Sequence, residues 1–270
     1  MSHKIAILIP IKNNCKKLED TFLFNTYLPS FQKTMSRELK YTFYIGLDEG
    51  DMMLEYNNKV RIIKIIEEMN CKCKIIKFDS TIQKGHVTKM WNILFNIAYN
   101  EDNDYFYQCG DDIELITKDW AIDFINKLKK HKDFGVVGPK SVNGHQQILT
   151  QTFVSKKHFK IFNFYFPNAI KNWFCDNWIS TVYRINNLFF MLTNHRIKNK
   201  GGKPRYNVIT NSLWITKLLE PGSILIYNYI KESNEKNKHE IIKQDSFNEL
   251  KKTINYLIYQ FNTKYKNTYS

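Results

Sequence analysis

Short apolar runs alternate with longer amphipathic stretches over residues 1–140, and this pattern constrains the fold more than any other feature of the sequence. The apolar runs predict strands at 4–9, 41–47, 74–78, 105–109 and 135–139. The amphipathic stretches between them predict helices at 15–36, 52–69, 84–99 and 118–131. Strands that alternate with helices predict an α/β fold, in which helices flank a mostly parallel sheet.

The alternation ends near Ser141, where the sequence becomes irregular and rich in aromatic residues. We therefore expect an irregular lobe over residues 141–215, beside the sheet-forming half. The basic segment 194–206 contains two consecutive glycines, which predicts a mobile loop. The charged stretch 231–252 indicates an exposed helical tail, so we interpret residues 216–270 as a C-terminal helical extension.

The composition predicts a soluble, cytoplasmic protein. Hydrophobic residues make up 43% of the 270 residues, which is enough for a sizeable core. No apolar run approaches the length of about 18 residues that a transmembrane helix needs, and the run at 5–10 is too short for a signal sequence. The five cysteines have neither the paired spacing of a zinc site nor the density of a disulfide framework, which favours reduced thiols.

The net charge of +14 does not by itself indicate a nucleic-acid partner. Lysines are spread along the whole chain, and Lys, Asn, Ile, Tyr and Phe are all abundant. This mixture is typical of an A/T-rich genome, such as that of a large DNA virus or an intracellular microbe. We therefore expect no specific nucleic-acid partner, and we interpret the charge as favourable for anionic ligands such as diphosphates.

Two adjacent carboxylates, Asp111 and Asp112, follow the fourth predicted strand. In sheets of this kind ligands bind beyond the carboxyl ends of the strands, so this position is a candidate for chemistry. Adjacent carboxylates repel each other, and a divalent cation with oxygen ligands, Mg²⁺ or Mn²⁺, would hold them together. The alternative is a polar turn that caps the helix after it, and the two carboxylates alone do not decide between these interpretations.

The run Tyr-Phe-Tyr-Gln-Cys-Gly-Asp-Asp at 105–112, together with Ile5–Pro10 and Gly46-Leu47-Asp48-Glu49, resembles the metal motif and strand pattern of GT-A glycosyltransferases. The resemblance covers roughly residues 4–206 and implies a Rossmann-like sheet with an acceptor-side lobe. It makes Asp112 the main metal ligand and gives Asp111 a hydrogen bond to the donor sugar or ribose. The chain departs from the commoner Asp-x-Asp form of the motif, because Cys109 stands at the outer position.

The resemblance implies a single catalytic domain over residues 1–215, with a nucleotide-binding half at 1–140 and an acceptor-side half at 141–215. The implied activity is metal-dependent transfer of a hexosyl or N-acetylhexosaminyl group. The donor would be a nucleotide sugar, expected to be a UDP-sugar, and the acceptor a hydroxyl group of a glycan or protein.

Two loops resemble the nucleotide-binding loops of these enzymes. The first follows the first strand and contains Pro10, Lys12 and Asn13, although Lys12 is also what an ordinary exposed loop would carry. The second contains Lys84, which would face the nucleotide, and Gly85, which would let the backbone approach it closely.

An acid after the second strand resembles the one that accepts a hydrogen bond from the uracil N–H in these enzymes. Asp48 directly follows that strand, and Glu49 and Asp51 are the alternatives.

Asp176 stands among large aromatic residues, in the sequence Asn-Trp-Phe-Cys-Asp-Asn-Trp-Ile at 172–179. Burial against Trp173 and Trp178 would raise the pKa of Asp176 and strengthen it as a base. The resemblance implies that this acid deprotonates the acceptor hydroxyl in an inverting reaction. The alternative is an N-cap for a helix that begins near Asn177.

A late histidine often returns to the metal in the resembled family, which makes His195 the second candidate ligand. His86, His145 and His158 are the other histidines that could take this role. Arg205 is the candidate that neutralises the departing diphosphate, with Arg196 as the alternative.

Two other classes of function remain alternatives at this stage. A nucleotidyltransferase would use a similar nucleotide and metal site, but it usually has a glycine-rich phosphate loop after the first strand, and residues 10–14 contain no glycine. A non-catalytic, basic nucleic-acid-binding protein would place its positive residues on one face.

Overall fold

A computed structural model describes residues 2–236 and 244–265. Its eight strands in chain order are β1 (Lys4–Ile11), β2 (Lys40–Leu47), β3 (Lys72–Lys77), β4 (Tyr105–Gln108), β5 (Ile113–Leu115), β6 (Val136–Ser141), β7 (Thr152–Ser155) and β8 (Phe189–Asn199). They form one sheet in the order β3-β2-β1-β4-β7-β6-β8-β5. The predicted α/β class with a mostly parallel sheet is confirmed.

The parallel part of the sheet consists of β3, β2, β1 and β4. Residues 5–9 of β1 are fully buried, because helices cover both faces of the sheet. Each of the five predicted strands is present, with bounds that shift by a few residues. The carboxyl ends of β1, β2 and β4 therefore open onto the same edge of the sheet.

The other half of the sheet is mixed. β7 lies antiparallel to β4 and β6, whereas β8 lies parallel to β6 and antiparallel to β5. The sequence pattern did not predict β5, β7 or β8. The prediction of a mobile loop at 194–206 is wrong for its first part, because β8 extends to Asn199 and pairs there with Ile113 of β5. Residues 200–211 form neither helix nor strand.

The described helices are α1 (Leu28–Thr34), α2 (Tyr56–Glu67), α3 (Val87–Asn100), α4 (Trp120–Lys129), α5 (Lys157–Phe162), α6 (Cys175–Ile185), α7 (Leu213–Thr216), α8 (Leu219–Lys236) and α9 (Gln244–Tyr265). The helix predicted at 15–36 is wrong as one element. A short 3₁₀ turn, a π-helical turn at Leu23–Tyr27 and α1 replace it, and Pro29 lies in the first turn of α1, where proline is tolerated.

Two hydrophobic cores lie on opposite faces of the sheet, because side chains along a strand point alternately to either side. One core contains Phe31, Phe43 and Trp120, and the other contains Phe95 and Trp178. Both cores are rich in aromatic rings, and their packing fixes the positions of the loops at the edge of the sheet.

The C-terminal helices α8 and α9 pack against the second core through the buried Ile226 and Ile254. The predicted charged tail at 231–252 joins the protein body through the buried Leu250 of α9, and its residues 237–243 lie outside the described residues. Across residues 2–236 and 244–265, none of the helices combines the length and apolar character that crossing a bilayer requires.

Candidate active site

A cavity of about 280 Å³ opens at the carboxyl ends of β1 and β2. The residues predicted to bind the donor supply much of its lining, namely Pro10, Lys12, Asp48, Lys84, Gly85 and Arg205. They come from four separate loops, which the parallel strands bring to one edge. The size and the mixed polar and apolar lining suit a small organic ligand.

Asp48 is the acid of the second loop that reaches this cavity. Its carboxylate lies 3.8 Å from the ammonium group of Lys12, and 15% of its side chain is exposed. The two alternative acids have other partners. Asp51 accepts a hydrogen bond from the backbone of the short turn that follows it, and Glu49 forms a surface ion pair with Lys77.

Gly85 forms the opposite wall of the cavity with a backbone φ of +81°, a conformation that side-chain-bearing residues rarely adopt. A β-carbon there would lie 3.2 Å from the β-carbon of Tyr206. The exposed Lys84 lines the same wall. Asn13 is not brought to the cavity wall, because its amide oxygen accepts the backbone N–H of Cys15 at 2.9 Å and closes a local turn.

Asp111 is buried, and Arg205 binds both of its carboxylate oxygens. The guanidinium group also donates to the backbone carbonyl of Lys12 at 2.8 Å. The structure therefore does not present Asp111 to a ligand in the cavity. Its carboxylate instead fixes Arg205 at the cavity wall, and the charges raise the pKa of Arg205 despite its burial.

The negative charge of Asp112 is balanced less closely than that of Asp111. Its carboxylate lies 3.6 Å from Arg205, and burial together with the charge of Asp111 raises its pKa. Residues 111 and 112 do form a turn, but the helix cap of the alternative interpretation is wrong, because β5 rather than a helix begins at the next residue. Since the charged form of Asp112 is destabilised, a further cation beside it would be favourable.

A second side-chain oxygen, which the sequence did not indicate, lies near Asp112. A β-carbon on Gly201 would lie 2.1 Å from Asp112 Oδ2 and 3.0 Å from Asn199 Oδ1, so both oxygens lie close to one point beside this glycine. The backbone N–H of Lys200 donates to the carbonyl of Asp112 at 2.8 Å and fixes the two loops together.

The structure does not bring His195 to Asp112. Its Nε2 atom contacts the Asp123 carboxylate at 2.7 Å, and its ring packs edge-on against Phe124. Along β8 it stands five residues before the residue that bonds Asp112, which is roughly 16 Å of extended strand. Within the described part of the chain, no group of three or more His, Cys, Asp or Glu side chains could hold a metal ion.

Two of the other histidines have structural partners. His158 is buried, hydrogen-bonds Tyr183 and the carbonyl of Tyr165, and burial lowers its pKa to about 4. His86 lies at the start of α3 and hydrogen-bonds the carbonyl of Asn168 at 2.9 Å. The bond of His86 thus joins the two halves, whereas the bonds of His158 lie within residues 141–215.

Asp176 lies in the first turn of α6, and its pKa is raised to about 7 because burial penalises the charged carboxylate. The helix begins at Cys175 with Phe174 as its N-cap, and the Asp176 side chain makes no capping bond. The alternative interpretation as an N-cap is therefore wrong. Trp178 is a core residue, whereas Trp173 is 46% exposed and available to a ligand.

Burial raises the pKa of the Tyr206 phenol, and the charges of Cys175, Asp176 and Asp112 add to this effect. Tyr206 also lines the cavity beside Gly85. Arg205 also lines the cavity and lies 3.6 Å from Asp112, so the metal-ligand candidate borders the cavity.

Asn172 is a further site residue whose role the sequence did not reveal. It is buried and hydrogen-bonds the carbonyls of Gly85 and Asn207, both of which belong to residues that line the cavity. Its position in the aromatic stretch 172–179 was the only signal in the sequence, because its partners are distant along the chain.

Comparison with known proteins agrees with the fold. No protein-family description and no curated protein matches the chain. Among solved structures it is similar to S. aureus TarS, a glycosyltransferase, with 14% identity and a TM-score of 0.53 over 73% of this chain and 37% of that one. It is also similar to TarS 1–349, with 14% identity and a TM-score of 0.52 over 83% and 66%.

A structure of TarS 1–349 in complex with UDP aligns with a TM-score of 0.48, which is too low to support an argument about ligands. The similarity spans 37% of the longer TarS chain and 66% of the shorter one. At 14% identity it concerns the fold alone: this chain shares the α/β fold of those structures.

Proposed function

We propose that this protein is a metal-dependent glycosyltransferase that moves a sugar from a UDP-sugar to a hydroxyl group of a glycan or protein. The observation that carries the proposal is a cavity lined by Asp48, Gly85 and Arg205, in a fold shared with a glycosyltransferase. Asp112 borders this cavity, 3.6 Å from Arg205, and the charge of Asp176 acts on Tyr206 in the cavity wall. Donor binding, metal binding and proton transfer would each use one of these acids.

The cavity would hold the nucleotide of the donor. Asp48 would accept a hydrogen bond from the uracil N–H, while Pro10 and Gly85 allow the base and ribose to lie against the backbone. Lys12, Lys84 and Arg205 supply positive charge around the same volume. This set of charges favours a ligand with a diphosphate group.

The residues around Asp112 fit a hard divalent cation that the substrate helps to hold. Mg²⁺ and similar ions commonly take one or two protein oxygens and complete their shell with phosphates and water. Asp112 would be the main ligand, and the amide oxygen of Asn199 lies near enough to assist. When bound, Mn²⁺ or Mg²⁺ would neutralise the diphosphate and make it a better leaving group.

Asp176 would act as the general base of an inverting reaction. A pKa near 7 lets the carboxylate hold a proton transiently at neutral pH. It would take the proton of the acceptor hydroxyl while the hydroxyl oxygen bonds to C1 of the sugar, and the C1–O bond to the diphosphate would break. Arg205 would stabilise the charge on the departing UDP.

The catalytic unit would comprise residues 1–215, with 216–270 as a helical extension. The five cysteines are free, which supports a reducing compartment such as the cytoplasm.

A panel of UDP-hexoses and UDP-N-acetylhexosamines, incubated with Mn²⁺ and simple glycan acceptors, tests the proposal. We expect Mn²⁺-dependent release of UDP with one donor class, and NMR of the product should show the anomeric configuration opposite to that of the donor. A retained configuration would refute Asp176 as the base of a single displacement, and a complete lack of turnover and of nucleotide binding would refute the proposed function.

A further inference from the structure

One buried amide uses its full hydrogen-bonding capacity at the edge of the cavity. Asn172 is 3% exposed, and its Nδ2 atom donates to the carbonyls of Gly85 and Asn207, each at 3.0 Å. Its Oδ1 atom accepts from the backbone N–H groups of Trp173 at 2.8 Å and Ile209 at 2.9 Å. An asparagine amide offers two donors and two lone pairs, so none is left over.

These four partners belong to two parts of the candidate site. Gly85 and Asn207 line the cavity, whereas Trp173 and Ile209 are exposed, by 46% and 36%, and Trp173 stands two residues before α6 in the chain. One side chain therefore bonds the cavity wall both to the segment 207–209 and to the segment that leads into α6.

The segment 200–211 depends on such bonds for its position, because it forms neither helix nor strand. The Arg205 side chain, in the middle of this segment, bonds Asp111 and the loop after β1. Asn172 bonds residues 207 and 209 of the same segment. A substitution that removes these hydrogen bonds would loosen the wall of the cavity without changing a residue that contacts the ligand.

We propose that Asn172 is a positioning residue that holds the 207–209 backbone against the Gly85 turn, so that the segment becomes a fixed wall of the nucleotide pocket. The inference rests on the proposed function for the identity of the ligand. Asn172 itself would contact neither nucleotide nor acceptor.

The chain offers a matched control for this role. Asn92 on α3 also makes four hydrogen bonds, to the carbonyl of Phe166, the side chain of Asn168 and the backbone N–H groups of Tyr165 and Phe166. It does not line the cavity. A leucine resembles asparagine in shape and adds no charge, so Asn172→Leu and Asn92→Leu remove equivalent bonds at two places.

The experiment measures UDP affinity by calorimetric titration with Mn²⁺ and the melting temperature of each variant. We expect similar losses of melting temperature, a rise in the Kd for UDP of about tenfold in Asn172→Leu, and a change below about twofold in Asn92→Leu. In turnover assays the KM for the donor should rise in Asn172→Leu, with kcat less affected. Equal UDP affinity in the two variants would overturn the proposal.

Hydrogen exchange separates this inference from the proposed function. In the ligand-free protein the amide of Ile209 should exchange faster in Asn172→Leu than in Asn92→Leu. An unchanged exchange rate of the Ile209 amide would overturn the inference even if UDP binds. A wild-type protein that does not bind UDP would refute the proposed function alone. Should Asn172→Leu not fold, Asn172→Ser, which keeps a small polar side chain, takes its place in both measurements.

Discussion

Arg205 and Asp111 form a two-pronged ion pair across the candidate site, although 94 residues separate them in the sequence. The side chain of Asp111 is 2% exposed and that of Arg205 is 26% exposed, so the carboxylate lies almost out of water. This contact changes the electrostatic interpretation of the adjacent carboxylates, because an internal cation already balances Asp111. An additional cation would therefore stabilise Asp112, whose pKa stays raised.

Loss of the guanidinium group should destabilise the protein. Arg205→Met leaves a buried carboxylate without its partner, so we expect the free energy of unfolding at pH 7 to fall by about 3 kcal/mol in chemical denaturation. The double variant Arg205→Met, Asp111→Asn should recover most of this loss, because it removes the unpaired charge. Equal stability of the two variants would show that the ion pair has no such role.

Gly201→Ala should weaken metal binding through contact with Asp112. The added methyl group would overlap Asp112 Oδ2, which is 2.1 Å from the ideal position of the β-carbon. We expect the affinity for Mn²⁺ in the presence of UDP, measured by electron paramagnetic resonance, to fall by about tenfold. Gly202→Ala is the control, since a β-carbon there meets nothing within 4 Å. The same loss in both variants would argue against a metal at Asp112.

Asp176→Asn should abolish transfer while it leaves nucleotide binding intact. An amide cannot accept the acceptor's proton, so we expect kcat to fall by about 10²–10⁴-fold. In the wild-type protein kcat should rise with pH through a midpoint of about 7, because the carboxylate must be ionised to act as a base. Full turnover by Asp176→Asn, or a rate independent of pH between 5 and 9, would remove Asp176 as the base.

The same residue makes stability depend on pH. The pKa of Asp176 is raised from its usual 3.8 to about 7 in the folded protein, so its stabilising contribution is complete below about pH 4 and is lost as pH rises through 7. Asp176→Asn should therefore be more stable than wild type at pH 8, by about 1–3 kcal/mol, and not at pH 4. Denaturation curves at both pH values check this. Equal stability differences at the two pH values would contradict it.

The sequence predicted the parts of the site that depend on local pattern. Asp48 and Gly85 follow recognisable apolar runs, and parallel strands place such residues at one edge. The strand β1 was equally clear, because the run of five consecutive apolar residues at 5–9 predicts a buried strand. These predictions needed no knowledge of distant contacts.

The remaining features depend on contacts between distant parts of the chain. The strands β5 and β7 have three and four residues, which is too short for a periodic signal. Neither the bonds of Asn172 nor the ion pair of Arg205 has a local signature. His195 illustrates the opposite error. The resemblance made it a candidate metal ligand, but its ring contacts Asp123, away from Asp111 and Asp112.

The most direct test of the account is calorimetric titration of UDP into the wild-type protein and two variants, with and without Mn²⁺. Asp112→Ala removes the proposed ligand, and Glu114→Ala removes a nearby carboxylate that instead pairs with Lys200 at the surface. We predict that Mn²⁺ tightens UDP binding by about tenfold or more in the wild type and in Glu114→Ala, and has no effect in Asp112→Ala. Mn²⁺-dependent UDP binding by Asp112→Ala, or UDP binding by the wild type that is the same with and without Mn²⁺, would contradict the assignment of Asp112 as the metal ligand.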